Sequence, residues 1–140
     1  MKPTESATIK VEVTINAPLE KVWKLWTLSE HITKWNNASD DWHTPRAEND
    51  LRTGGKFLSR MEAKDGSFGF NFEANYTAID IGKHLTYECG NPFATIAFET
   101  KNNETEITII FDPEEVNPIE MQQNGWQSIL ENFKLYTETN

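Results

Sequence analysis

The C-terminal stretch from about Asn117 to Glu138 constrains the fold most, because it has one wide apolar face at helical spacing. Its apolar residues recur every three or four positions, as on one side of an α-helix: Trp126, Ile129, Leu130, Phe133 and Tyr136. The chain before it has the pattern of strands. A lone amphipathic helix that follows antiparallel strands lies across their sheet, since both apolar surfaces must be covered from water. The segment therefore predicts a sheet that holds a long last helix, with room for a pocket between them.

Alternating apolar and polar residues predict the strands. Ile9, Val11, Val13 and Ile15 alternate with polar neighbours, which is typical of a half-buried strand. Later inward faces are predicted at Phe57/Ser59/Met61, Phe68/Phe70/Phe72/Ala74/Tyr76, Leu85/Tyr87/Cys89, Ile96/Phe98 and Ile107/Ile109/Phe111. One polar face on each strand indicates an antiparallel sheet with one side in water. The fold class is α+β, with a curved antiparallel sheet of about six strands.

Two short helices are expected after the first strand. Pro18 suits the first turn of one helix, and Ser29 is a candidate cap for a second that carries Ile32 and Trp35. The stretch from Asn36 to Thr53 is polar and contains proline, so we interpret it as a long loop, which in a compact domain is often functional.

Turn and cap residues punctuate the rest of the chain. Asp65-Gly66 predicts a tight two-residue hairpin turn. Asn117 and Pro118 predict the start of the last helix. Gly125 inside that helix is unexpected, because glycine there costs roughly 1 kcal/mol relative to alanine. Either a close approach to the sheet or room for a ligand would explain it.

Composition limits the function classes. A chain of 140 residues fits one domain, 1–140, and its single cysteine, Cys89, is expected to be a small core residue. With 13 Lys and Arg against 22 Asp and Glu, the net charge of −9 repels nucleic acid phosphates and anionic lipid. No apolar run approaches the roughly 18 residues of a membrane span, and the N-terminus lacks a signal-peptide core. We expect a cytoplasmic protein without nucleic acid or membrane partners.

Several segments resemble a known family. They are residues 15–23 (INAPLEKVW), Trp35, residues 50–57 (DLRTGGKF), and Gly125-Trp126 with Leu130. The chain resembles the helix-grip fold of the START-like, birch-pollen-allergen-like (SRPBCC) superfamily. Within it, the chain is similar to small bacterial proteins related to the C-terminal domain of the heat-shock-protein ATPase activator. The resemblance implies a hydrophobic cavity between the sheet and the last helix. Members bind lipids, aromatic compounds or hormones, and a few catalyse reactions in the cavity; the fold does not choose among these.

The residues predicted to contact a ligand are mainly aromatic residues on faces that this fold turns inward. They are Trp35, Trp42, His43, Met61, Phe70, Phe72, Tyr87, Gln122, Trp126 and Ile129. Each aromatic residue alone is more often plain core than a ligand contact, but five tryptophans in a chain of this size favour a cavity as a group. Gln122 lies one turn before Trp126 and could orient a ligand through its amide, or face water.

The richest cluster of chemical groups is Ser39-Asp40-Asp41-Trp42-His43. Two carboxylates beside a histidine could serve as acid and base, but they could also be solvated loop residues. Their spacing matches no metal template, so we expect neither a metal nor a cofactor. No nucleophile elbow or phosphate loop occurs in the sequence.

Three functions follow from these observations. The first is a binding protein for a small apolar or aromatic molecule. The second is a protein-interaction module resembling the ATPase activator, and the third is a cavity enzyme that uses His43 with Asp40 or Asp41. The sequence favours a function without catalysis.

Overall fold

A computed structural model describes residues 8–37, 40–88, 93–113 and 118–140. Its elements, in chain order, are β1 (Ile9–Ile15), α1 (Leu19–Thr27), α2 (Ser29–Trp35), β2 (Trp42–Asn49), β3 (Lys56–Ala63), β4 (Gly69–Asp80), β5 (His84–Glu88), β6 (Phe93–Lys101), β7 (Glu104–Phe111) and α3 (Ile119–Thr139). The predictions for Ser39, Cys89 and Asn117 lie outside the described residues.

The strands form one curved antiparallel sheet in the order β1-β7-β6-β5-β4-β3-β2. The long helix α3 follows the last strand, and the two short helices lie between β1 and β2. This arrangement confirms the predicted α+β fold. The described residues contain seven strands rather than about six.

The additional strand is β2, whose eight residues lie in the middle of the stretch interpreted as a loop. That prediction was wrong because β2 lies at the end of the sheet and has only β3 as a neighbour. It contains Pro45, and its register with β3 breaks between His43 and Arg46. A terminal strand with one break is not buried on alternate residues, so it lacks the period of two that marks an internal strand.

The helix starts differ from the predictions by one residue. Pro18 and Pro118 have extended conformations and directly precede α1 and α3. Ser29 is the first residue of α2 instead of its cap. Leu28 takes the cap position because its N–H donates to Lys24 O and its carbonyl accepts from Ile32 N–H at 3.0 Å, so one residue ends α1 and begins α2.

The Asp65-Gly66 hairpin is present, but its loop is longer than predicted. Ala63 N–H donates to Phe68 O at 2.9 Å, and this hydrogen bond encloses four residues. Gly66 has a φ of 77°, a left-handed backbone conformation that favours glycine at this position. The Asp65 side chain accepts from the Ser67 N–H at 2.8 Å, so the loop is stabilised by its own aspartate.

The C-terminal half of α3 packs into the core. Leu130 and Phe133 are fully buried. The Phe133 ring lies 4.8 Å from the rings of both Trp26 and Trp35, which stack on each other at 4.6 Å. This aromatic cluster joins all three helices and fixes α3 over the sheet.

Polar side chains of α3 follow the free edge of β1. Gln123 and Gln127 donate to the carbonyls of Lys10 and Glu12 at 3.3 and 3.1 Å, and Lys134 donates to Thr14 O at 2.6 Å. At the end, Glu138 accepts from Asn16 N–H at 2.8 Å. Gln123 and Glu138 lie about 22 Å apart along the helix, and Lys10 and Asn16 lie about 20 Å apart along the strand. Because these lengths are similar, the polar residues of α3 remain level with their partners on β1.

Candidate ligand cavity between the sheet and the last helix

A cavity of about 760 Å³ lies between the sheet and α3. Its volume falls within the range of about 300–1,000 Å³ that is usual for small-molecule sites. Its lining is predominantly apolar and aromatic: Trp26, Trp35, Phe57, Met61, Phe70, Phe72, Tyr76, Tyr87, Phe93, Ala94, Phe111, Met121, Gly125, Trp126 and Ile129. The remaining lining residues are Asn36, Asn71, Glu73, Asp112 and Gln122.

Most residues predicted to contact a ligand lie together in this wall. They are Trp35, Met61, Phe70, Phe72, Tyr87, Gln122, Trp126 and Ile129. Strand alternation places the inward residues of β3 and β4 side by side, with Met61 paired to Phe70 and Ser59 paired to Phe72. The period of α3 brings its lining residues to the same side.

Trp42 and His43 are the two predicted residues that do not line the cavity. Trp42 lies behind the mouth, with its ring 6.0 Å from Phe68 and 6.1 Å from Phe70. His43 Nε2 lies 3.8 Å from a carboxylate oxygen of Glu62 on β3. The two were expected in a long loop, but a strand fixes them at the end of the sheet. This position gives no support to His43 as an acid or base for a ligand in the cavity.

The lining residues that were not predicted to contact a ligand include Trp26, Asn36, Phe111 and Met121. Phe111 belongs to an inward strand face and packs against Trp126, with ring centroids 4.7 Å apart, so its alternation was the signal for it. Asn36 follows α2 directly and gave no signal, because a polar residue after a helix is usually exposed.

Two hydrogen-bonded pairs of side chains include buried residues of the cavity wall. The Tyr76 hydroxyl donates to Asn49 Oδ1 at 2.7 Å. Burial raises the pKa of Tyr76 well above its ordinary value, and the hydrogen bond to Asn49 acts in the opposite direction. Asn36 Nδ2 donates to Ser59 Oγ at 2.9 Å, and both residues are buried. These pairs set buried polar atoms into a predominantly apolar wall.

The mouth is marked by exposed apolar side chains. Phe70, Phe93 and Met121 line the cavity and are 40%, 43% and 59% exposed. Trp26 and Trp35, by contrast, are at most 9% exposed and form the closed end. The cavity therefore runs from an open end near the start of α3 to the aromatic cluster in the core.

Gly125 lies in the cavity wall, and a Cβ built on it meets no atom within 4 Å. Of the two explanations offered by the sequence, the structure favours room beside the helix over close contact with the sheet. A side chain at this position would extend into the open space.

The described residues contain no group of three or more His, Cys, Asp and Glu placed to hold a metal ion. Among the same residues, no helix has the length and apolar character needed to cross a membrane.

A curved antiparallel sheet that closes on a C-terminal helix over an apolar cavity defines the helix-grip class. Residues 16–138 match the model of the Activator of Hsp90 ATPase homolog 1-like family. The chain belongs to this family, in agreement with the resemblance seen in its motifs.

Solved structures support the assignment. The solution structure of the AHSA1-like protein from Aeromonas hydrophila is 36% identical with a TM-score of 0.90, over 95% of this chain and 93% of that chain. A solution structure from Cytophaga hutchinsonii is 48% identical with a TM-score of 0.81 over the same shares. A crystal structure from Chromobacterium violaceum has 21% identity and a TM-score of 0.85, over 96% of this chain and 99% of that one, and shows the fold alone. No curated protein matches the sequence.

Proposed function

We propose that this protein binds a small apolar or aromatic molecule in the cavity between the sheet and α3. The observation that carries the proposal is the cavity itself, about 760 Å³ in volume and walled mainly by aromatic and aliphatic side chains. Apolar burial contributes about 25 cal/mol per Å², so a ligand that buries on the order of 300 Å² gains several kcal/mol before entropic costs. This supports binding in the micromolar range.

Nile red, a neutral dye whose emission rises in apolar surroundings, tests whether the cavity accepts such molecules. We expect saturable emission with one site per chain and a rise in melting temperature, because a ligand that binds only the folded state stabilises it. Trp26, Trp35 and Trp126 line the cavity, so tryptophan emission should also change on binding. The absence of saturable emission, melting shift and tryptophan response at about 100 μM dye would rule the proposal out.

Gly125 offers a variant that closes the cavity without damaging the fold. We expect Gly125→Leu to weaken Nile red binding at least tenfold, because the new side chain enters the cavity space that now surrounds this position. Its stability should equal or exceed that of the parent, since leucine is the better helix former by roughly 0.8 kcal/mol.

Gly125→Ala is the matched control for Gly125→Leu. It shares the gain in helix propensity but adds only one methyl group, so binding should stay within about threefold of the parent. Unchanged binding in both variants would place the dye outside this cavity. Loss of binding in both would show that the loss of the glycine itself, and not the volume of the new side chain, removes the dye.

A second candidate function is a protein-interaction module, which the exposed apolar residues at the mouth favour. Native mass spectrometry of the protein purified from its own cells separates the two functions. A retained small molecule supports ligand binding, whereas a retained polypeptide that the double variant Phe70→Ser/Phe93→Ser releases supports the interaction module.

A further inference from the structure

We infer that the ligand is a neutral molecule whose hydroxyl group pairs with the Asn36 side chain at the buried end of the cavity. This inference rests on the proposed binding function and specifies the chemical class of the ligand. It follows from the side-chain amide of Asn36, whose nitrogen has a protein partner while its oxygen has none among the described residues. It also follows from the charges of the residues that line the cavity.

Asn36 is held firmly from three sides. Its N–H donates to Ile32 O at 3.1 Å, and its carbonyl accepts from the Thr44 hydroxyl. Its Nδ2 donates to Ser59 Oγ, and Ser59 is completely buried on β3. The carboxamide is therefore fixed in position before any ligand arrives, as a specific site requires.

The other end of the same carboxamide has no partner among the residues that the structure describes. Asn36 is only 8% exposed, and no described residue donates to its Oδ1. Buried amide groups are nearly always paired, and Asn36 forms part of the cavity wall, so the cavity is where a donor can reach this oxygen. A hydroxyl both donates and accepts, and it pairs with a carboxamide whichever end of the amide faces it.

Three other polar residues of the wall have partners on the protein. The Tyr76 hydroxyl donates to Asn49, and Glu73 forms an ion pair with Lys56 at 3.2 Å. Asp112 accepts from the Phe93 N–H at 3.3 Å. Asn36, by contrast, is a buried wall residue with an amide oxygen to which no described residue donates.

The charges of the wall exclude an anionic head group. No described residue that lines the cavity is basic, while Glu73 and Asp112 are acidic. A carboxylate ligand would lose its hydration and find no positive charge in the wall to replace it. It would also lie against the amide oxygen of Asn36, which repels an anion. A neutral hydroxyl avoids both costs.

Competition with bound Nile red tests the inference, using 2-naphthol, naphthalene and 2-naphthoate as matched probes. We expect naphthol to displace the dye about three- to tenfold more tightly than naphthalene, the gain of one hydrogen bond to a neutral acceptor. Naphthoate should be the weakest competitor, at least tenfold below naphthol. A wholly apolar pocket would instead prefer naphthalene, which has no hydroxyl to remove from water.

Variants locate the hydroxyl. Asn36→Leu should abolish the preference for naphthol over naphthalene, whereas Asn75→Leu, the same change at an exposed asparagine of β4 outside the cavity wall, should retain it. Preference for naphthalene in the parent protein, persistence of the naphthol preference in Asn36→Leu, or its loss in Asn75→Leu would overturn the assignment.

A measurement on the unaltered protein covers the case in which Asn36→Leu does not fold. The side-chain NH₂ signals of Asn36 in an NMR spectrum should move on addition of naphthol and stay within the scatter of other amides on addition of naphthalene. Equal movement with both probes would contradict the pairing. Failure of Nile red to bind would count against the proposed function instead, so the two failures are distinct.

Discussion

Tyr76 is a titratable residue whose ionisation the fold suppresses. It is 4% exposed, and its hydroxyl donates to Asn49 across 27 residues of sequence. Burial raises the pKa of Tyr76 above its ordinary value of 10.0, because a phenolate in this wall would lose its hydration. The folded protein therefore keeps this hydroxyl neutral where the unfolded chain would ionise it.

The sign of the resulting pH dependence follows directly. A raised pKa in the folded state contributes stability below the unfolded value of 10.0, and this contribution is lost as the pH rises above it. Tyr76→Phe should lower the free energy of unfolding by about 1 kcal/mol at pH 7, the worth of a typical hydrogen bond. The stability difference between variant and parent should shrink or reverse at pH 11. There the parent loses stability because its tyrosine ionises in the unfolded chain, whereas the variant has no hydroxyl to ionise. Urea unfolding at pH 7, 9 and 11 checks this, and a constant deficit would contradict it.

Other residue pairs show where sequence reasoning stops. Asn36 and Ser59 are 23 positions apart, and each has an ordinary place in the sequence, one after a helix and one in a strand. Only the folded chain shows that the two side chains meet in the cavity wall. Alternation correctly placed Ser59 inward, but nothing in a single sequence identifies its partner.

The helix α3 consists of two halves with different surroundings. Its apolar spacing predicts one continuous buried face, and in the C-terminal half Leu130 and Phe133 are fully buried. In the N-terminal half Trp126 and Ile129 are only partly buried, because they line the cavity. The same spacing therefore serves packing at one end and an open space at the other.

This division predicts unequal costs for two aromatic truncations in α3. Phe133→Ala should lower the free energy of unfolding by about 3–5 kcal/mol, as expected for a fully buried aromatic ring. Trp126→Ala should cost about 1–2 kcal/mol, since its ring already borders open space, but should weaken Nile red binding several-fold. Chemical denaturation and dye titration of the two variants measure both effects. Equal stability costs would show that the two halves are packed alike.

Across the whole molecule, one hydrogen bond links residues near opposite ends of the described chain. The Glu138 carboxylate accepts from the Asn16 N–H and lies 3.3 Å from Lys134 Nζ. The backbone hydrogen bond from Asn16, followed by the side-chain hydrogen bond and the charge of Lys134, lowers the pKa of Glu138 below its ordinary value of 4.5. The carboxylate thus favours the folded state while it is ionised.

The corresponding prediction concerns acid. A lowered pKa contributes stability above pH 4.5, and this is lost as the pH falls through the folded value. Glu138→Gln should reduce stability at pH 7 by less than about 1 kcal/mol, because the group is mostly exposed to solvent. The difference from the parent should shrink as the pH falls below 4.5. Urea midpoints measured from pH 7 down into acid follow it, and a difference that persists throughout would assign the effect to packing.

The sequence predicted the large-scale arrangement better than the details of the site. Strand alternation and the helical period each repeat over many residues, so the order of the elements and the inward faces could be read from them. Trp42 and His43 were misplaced because the terminal strand β2 has no clear period. Asn36 was missed because its burial depends on residues from α2, β2 and β3 together.

The polar row of α3 along β1 also affects how the molecule meets its own copies. Carbonyls that would otherwise accept an incoming strand are occupied by Gln123, Gln127 and Lys134. At the other end of the sheet, β2 presents an irregular register, with Pro45 and the exposed Arg46. Neither end offers the regular ladder that edge-to-edge polymerisation requires. The protein can therefore keep an open cavity in its interior without exposing a regular sheet edge that would promote fibrous aggregation.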